Sequence, residues 1–173
     1  MTTSPPLSRS RAVGRVGWAV VVSIWPLYAF LGVVTIGAAS WLAVHGDPGL
    51  LLLVLQFWKI AVVGITGSFV AHECAHAVVL SRLDGVSRID VESTPLRISL
   101  RPSGQVSRAG AALAAIAGPA TCVALGCLMW WLTDEHLLAV IHLGHGAFLL
   151  PPSGDGRVLL TALRPPRPAD APA

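Results

Sequence analysis

His72-Glu73-Cys74-Ala75-His76 places two imidazoles four positions apart, with a carboxylate directly after the first. On a helix, positions four apart share a face, so His72 and His76 can offer nitrogen lone pairs to one ion. Glu73 stands beside that pair, where a carboxylate can take a proton from water. This is the H-E-x-x-H arrangement of zinc hydrolases, in which the glutamate is the general base. Cys74 fills a variable position of the motif and needs no catalytic role. The motif lies in an apolar run from Leu50 to Leu80 that ends before Arg82. In a run long enough to span a bilayer, ionisable groups are costly and usually functional, which favours metal chemistry over a chance pattern on a surface helix.

Two histidines do not complete a catalytic zinc site; a third protein donor is expected, with one position left open. Asp155, Asp90, Glu92, His142 and His145 are the candidates. Depth favours Asp155. His76 lies about 9 Å along a helix from Arg82, and Asp155 at most about 14 Å from Arg164. Asp155 also sits in Pro151-Pro152-Ser153-Gly154-Asp155-Gly156, where the helix must break, and irregular backbone at membrane depth is tolerated only beside protein or a cavity. A plain turn residue would serve there too. His142 and His145 lie one or two turns deeper, and such a pair also suits hydrogen bonding within a bundle.

Composition says what must hold these residues. Of 173 residues, 54% are hydrophobic and 12% charged, against about 25% charged in a soluble domain. With a mean hydropathy of +0.69, an integral membrane protein of one domain is expected, with no room for a separate substrate-binding module. The net charge of +3 is mostly arginine beside apolar runs, which sets orientation and does not suggest a nucleic-acid partner. Cys74, Cys122 and Cys127 all fall in apolar runs without paired spacing, and read as filler, not disulfides.

Residues 1–15 are expected as a disordered basic tail. Val16 to Val44 reads as a first span, with Trp18, Trp25 and Trp41 as interface anchors and Pro26 as a kink. His45 to Gly49 is a turn by composition. The second run, Leu50 to Leu80, fits either one tilted helix or a re-entrant start followed by a span from about Ile60. Between 82 and 108, Ile89 and Val91 alternate with Arg88, Asp90 and Glu92, and Leu96, Ile98 and Leu100 with Arg97, Ser99 and Arg101. That period of two reads as a hairpin at the membrane surface, with an amphipathic linker as the alternative. A third span, Ala109 to Leu132, is rich in small residues that permit close helix approach, and contains Gly118-Pro119. Leu137 to Leu150 and Val158 to Leu163 form the broken fourth run. The expected fold is an all-α membrane protein of about four transmembrane helices with a β-hairpin-like insert between the second and third. An integral membrane domain is expected over 16–163, followed by a Pro-rich disordered tail at 164–173.

Arginine placement sets topology. Arg9, Arg11 and Arg15, the five arginines from Arg82 to Arg108, and Arg157, Arg164 and Arg167 fall on alternate sides of four crossings, while the turns at 45–49 and 133–136 contain neither Lys nor Arg. The positive-inside rule puts both termini, the 82–108 segment and the His72–His76 motif at the cytoplasmic face; a bacterial plasma membrane is the expected location.

A span bearing H-E-x-x-H, a strand-like insert, a later span with Gly118-Pro119, and a last span broken by prolines before Asp155-Gly156 together resemble the site-2 protease family of intramembrane zinc metalloproteases. The resemblance runs over residues 50–163. It implies one zinc per chain held by His72, His76 and Asp155, Glu73 as general base, and a membrane-embedded or membrane-associated protein or peptide as substrate. The chain departs from the family where an asparagine usually precedes the prolines: Ala147-Phe148-Leu149-Leu150 has none. Ala75 also replaces a common glycine, and the Pro-to-Asp interval is shorter. His145 is the substitute considered for that asparagine, and a strand within 86–101 could pair with an extended substrate. The competing reading is a membrane metal-binding protein without protease activity, a transporter or sensor, or an inactive relative.

Overall fold

The computed structural model describes residues 9–94 and 97–164. Helix α1 (Arg9–Ser23) is followed by α2 (Trp25–His45), and α3 (Gly49–Lys59) runs without interruption through a π-helical turn (Ile60–Thr66) into α4 (Gly67–Leu80). Two strands, β1 (Val86–Thr94) and β2 (Arg97–Gly104), precede α5 (Arg108–Leu132). Helix α6 (His136–Leu143), a 3-10 turn (Gly144–Leu149) and α7 (Gly154–Leu163) follow in the described residues. Among the described residues three helices are long and apolar enough to cross a membrane: Trp25–His45, Gly49–Leu80 and Arg108–Leu132. His136–Leu149 with Gly154–Leu163, bent by 42°, would make a fourth.

The first apolar run is two helices, not one span. Helix α1 already begins at Arg9, inside the stretch expected as an irregular tail; residues 1–8, and 165–173 of the expected C-terminal tail, lie outside the described residues. The division falls at Ile24, two residues before Pro26. Proline has no N–H to give and its ring crowds the carbonyl four residues back, so the ladder stops and restarts with Pro26 in the first turn of α2. Gly46 ends α2 in the left-handed conformation (φ 72), its N–H donating to Leu42 O.

The second run is one continuous helix of 32 residues, which settles against a re-entrant start. Its π-helical turn is marked by Thr66, whose hydroxyl donates to Ala61 O five residues back, and Tyr28 of α2 donates to that hydroxyl. The wider turn changes the rotational phase of α4 relative to α3, and such turns concentrate at functional sites. Lys59 pairs with Glu135 at 2.7 Å, tying α3 to the turn after α5 about 15 Å along the helix from Gly49.

The expected hairpin is present. β1 and β2 pair antiparallel, with Ile89 opposite Pro102, Asp90 opposite Arg101 and Val91 opposite Leu100. Part of the connecting turn, residues 95–96, lies outside the described residues. At the open end Gly85 (φ 89) and Gly104 (φ 113) face each other, and a Cβ at Gly104 would sit 2.0 Å from Gly85 O. Ile89 is buried against Leu80 of α4 and Ala114 of α5, so the hairpin is seated beside the end of the helix that carries the histidines. Helix α5 packs on α4, α6 and α7, and α1 packs on α4.

Candidate metal centre

Helix α4 turns His72 and His76 inward, where they are 4% and 7% exposed. Asp155 arrives from the other end of the sequence on the first turn of α7, where Ser153 caps the helix by accepting from Gly156 N at 2.9 Å. A carboxylate suits that end of a helix, whose unpaired N–H groups favour negative charge. Gly156 is required by packing: a Cβ there would lie 2.5 Å from the Leu150 carbonyl carbon.

Three atoms converge. His72 Nε2 lies 3.1 Å and His76 Nε2 3.4 Å from Asp155 Oδ2, and the two ring nitrogens are 3.0 Å apart. His76 Nδ1 donates to the carbonyl of Ala114 at 2.6 Å, so a neutral His76 presents a lone pair at Nε2. Without a cation, a single proton on His72 Nε2 would have to serve both the carboxylate and the His76 lone pair. A metal ion satisfies all three donors at once, and this group could hold one. Glu73 is not in the triangle. It lines, with His72, His76 and Asp155, a cavity of about 1120 Å³ whose other walls include Val20 of α1, Leu100 and Arg101 of β2 and Phe148.

No family model, curated protein or solved structure matches the chain.

The remaining sequence candidates are accounted for by their neighbours. On the hairpin Asp90 pairs with Arg88 at 2.6 Å and Glu92 with Arg101 at 3.0 Å, the second pair at the rim of the cavity and outside the donor triangle. His142 is buried and its Nδ1 donates to Leu138 O within its own helix. His145 does not reach the triangle; with Cys122 it forms a second group around His72, all buried, that could also hold a metal ion. Cys122, read from sequence as filler, is therefore part of the polar centre.

Two contributions of α5 escape sequence reading. The first is the Ala114 carbonyl that orients His76. Pro119 deprives Ala115 O of its helix donor, yet the carbonyl that His76 uses is the preceding one. The second is Gly118, where a Cβ would lie 2.4 Å from His76 Nε2 and 3.0 Å from His72 Cδ2. Gly118-Pro119 in an alanine-rich run signalled close approach, but not what approaches. In an ordinary helix interior Gly→Ala stabilises by about 0.5–1 kcal/mol; here overpacking costs about 1–3 kcal/mol and prevails. Gly118→Ala is expected to lower the melting temperature and metal uptake together. A variant that gains stability and keeps its metal would show that α5 does not set the ring positions.

Proposed function

We propose that the chain is an integral membrane zinc metallopeptidase of the site-2 protease type, cutting peptide bonds of membrane-embedded or membrane-associated substrates. The observation that carries the reading is the meeting of His72, His76 and Asp155 from α4 and α7 beside Glu73 in one cavity. The donor set fits zinc: ligand bonds of about 2.0–2.1 Å in tetrahedral geometry subtend about 3.3 Å between donors, and the three separations are 3.0, 3.1 and 3.4 Å. Three protein donors leave a fourth position for water or substrate, as catalytic sites require. Membrane residence is supported by side chains such as Val33, Ile36 and Trp131, exposed at 70%, 70% and 82%, on helices apolar enough to cross.

Zinc, when bound, supplies a lowered pKa for water, near about 7, and polarisation of the scissile carbonyl. Glu73 takes the water proton and delivers it to the leaving amine. Asp155 and His76 are held by a helix N-terminus and a backbone carbonyl, so neither has to be ordered when substrate arrives. A transmembrane helix hides its carbonyls in its own hydrogen bonds and must unwind to be cut. β2 borders the cavity through Leu100, Arg101 and Pro102, and strand addition there would hold the unwound segment extended.

A carrier or sensor would use the same three donors, and the second donor group around His72 suits a relay of ions. Glu73 supports hydrolysis, since a carrier gains nothing specific from a carboxylate after the first histidine. The test is a cleavage assay on co-expressed single-span substrates with Glu73→Gln as control. Absence of cleavage across substrates of both orientations, with zinc bound, would favour the carrier or sensor.

The arginine pattern supports a topology with both termini and the hairpin in the cytoplasm. With native cysteines replaced, labelling from outside is expected to reach cysteines introduced in turns 45–49 and 133–136, and none at 84–107. Labelling of the hairpin from outside would invert the protein and move the site to the other leaflet.

A further inference from the structure

We propose that His145 is a positioning residue of the metal centre, holding His72 in a single tautomer through one buried water that Cys122 also contacts. The inference rests on His72 being a metal ligand, and not on the chain being a peptidase.

Two buried polar atoms lack a hydrogen-bond partner among the described residues, His72 Nδ1 and His145 Nε2. Both residues are 4% exposed, and orphaned groups at that depth are rare in folded proteins. They belong to residues that cluster: a ring nitrogen of His72, a ring nitrogen of His145 and the Cys122 sulfur lie within 4.8 Å of one another. With His72 Nε2 engaged by Asp155 and His76, and His145 Nδ1 by Ile141 O, the nitrogens left for this cluster are the two orphans. Two hydrogen bonds of about 2.8–2.9 Å meeting at one water span about 4.7 Å, so a single water reaches across.

Their hydrogen-bonding roles decide between a water and a second cation. His145 Nδ1–H donates to Ile141 O at 3.2 Å, which leaves Nε2 a lone pair. The Cys122 thiol donates to Ser68 O at 3.2 Å, which leaves its sulfur a weak acceptor. His72, with Nε2 turned to the metal, carries its proton on Nδ1. The three groups thus offer one donor and two acceptors. A water complements that set, accepting from His72 and donating to His145 and Cys122, and three partners is the usual number for a buried water. A cation would need three lone pairs and would meet a proton. Metal-bound histidines generally give the far N–H to an acceptor that fixes the ring and raises its basicity. Here that acceptor is His145, reached through water.

The test uses the full chain in detergent micelles, with zinc(II) titrated against a chromophoric chelator and stoichiometry read with cobalt(II). His145→Leu and His145→Ala are expected to weaken zinc binding by about tenfold to a hundredfold. His145→Gln, whose Oε1 offers an acceptor at comparable reach, should stay close to the parent. Melting of the metal-free proteins separates misfolding from lost affinity; where the alanine variant fails to fold, the Leu and Gln pair carries the comparison. Zinc affinity unchanged in His145→Leu would overturn the proposal. So would two cobalt equivalents per chain with a thiolate charge-transfer band that disappears in Cys122→Ala, the mark of a second cation. A parent chain that binds no zinc removes the proposal with the metal reading, whereas zinc binding without peptide cleavage removes the peptidase reading alone.

Discussion

Glu73→Gln is expected to retain one zinc per chain while cleavage falls by about 10²–10⁴-fold. The substitution keeps the volume and shape of the side chain, so the cavity wall formed by α4 is unchanged. It removes only the capacity to take a proton, because an amide oxygen is a very weak base. The ligand triangle is untouched, since it consists of His72, His76 and Asp155, and Glu73 faces the cavity beside it. The measurements are the cleavage rate of a co-expressed single-span substrate and zinc per chain by elemental analysis. A Gln variant that cuts at a rate comparable to the parent would end the proposed mechanism. One that loses its zinc would instead put Glu73 among the ligands.

Asp155→Ala should cut bound zinc more severely than the roughly tenfold to hundredfold that follows from losing a supporting partner. The change takes away one of three donors, and the only one that brings negative charge. It leaves two neutral ring nitrogens 3.0 Å apart. His72→Ala and His76→Ala should behave alike. Asp155→Glu is expected to retain part of the metal but in a displaced position, because the added methylene moves the carboxylate against two rings fixed by α5. Asp90→Ala and Glu92→Ala are the controls, as each acid is engaged by an arginine of the hairpin. A full equivalent of zinc in Asp155→Ala, with loss in either hairpin acid variant, would overturn the ligand assignment.

The parts of this site that were legible beforehand are those encoded by local spacing. His72 and His76 share a helix face whatever packs against them, and prolines before Asp155 break a helix in any context. The alternation around Ile89 and Val91 likewise survived as a paired hairpin. What spacing could not reveal depends on contacts across the fold. Nothing near Ala114 or Gly118 in the chain announces that one orients an imidazole and the other makes room for two. The π-helical turn at Ile60–Thr66 is invisible for a similar reason, since the Tyr28–Thr66 contact beside it joins residues 38 apart. The break at Ile24 could have been anticipated more fully. Within a long apolar run Pro26 suggests a kink, whereas a ring that removes one hydrogen bond and crowds another can end a helix outright.

The ion pair between Lys59 and Glu135 has a consequence for the lipid around the protein. It puts the α5–α6 turn level with a point about a third of the way along the Gly49–Leu80 helix, so the α2–α3 hairpin reaches about 15 Å beyond that turn. A bilayer of about 30 Å hydrocarbon thickness cannot match both heights at once. It must thicken or the hairpin must tilt on one side of the molecule, and such hydrophobic mismatch costs a fraction of a kcal/mol for each ångström. The taller helix is the one that carries His72 and His76 at its far end. In a membrane, acyl-chain length would therefore bear on the helix that carries the candidate metal ligands, from the end opposite to them.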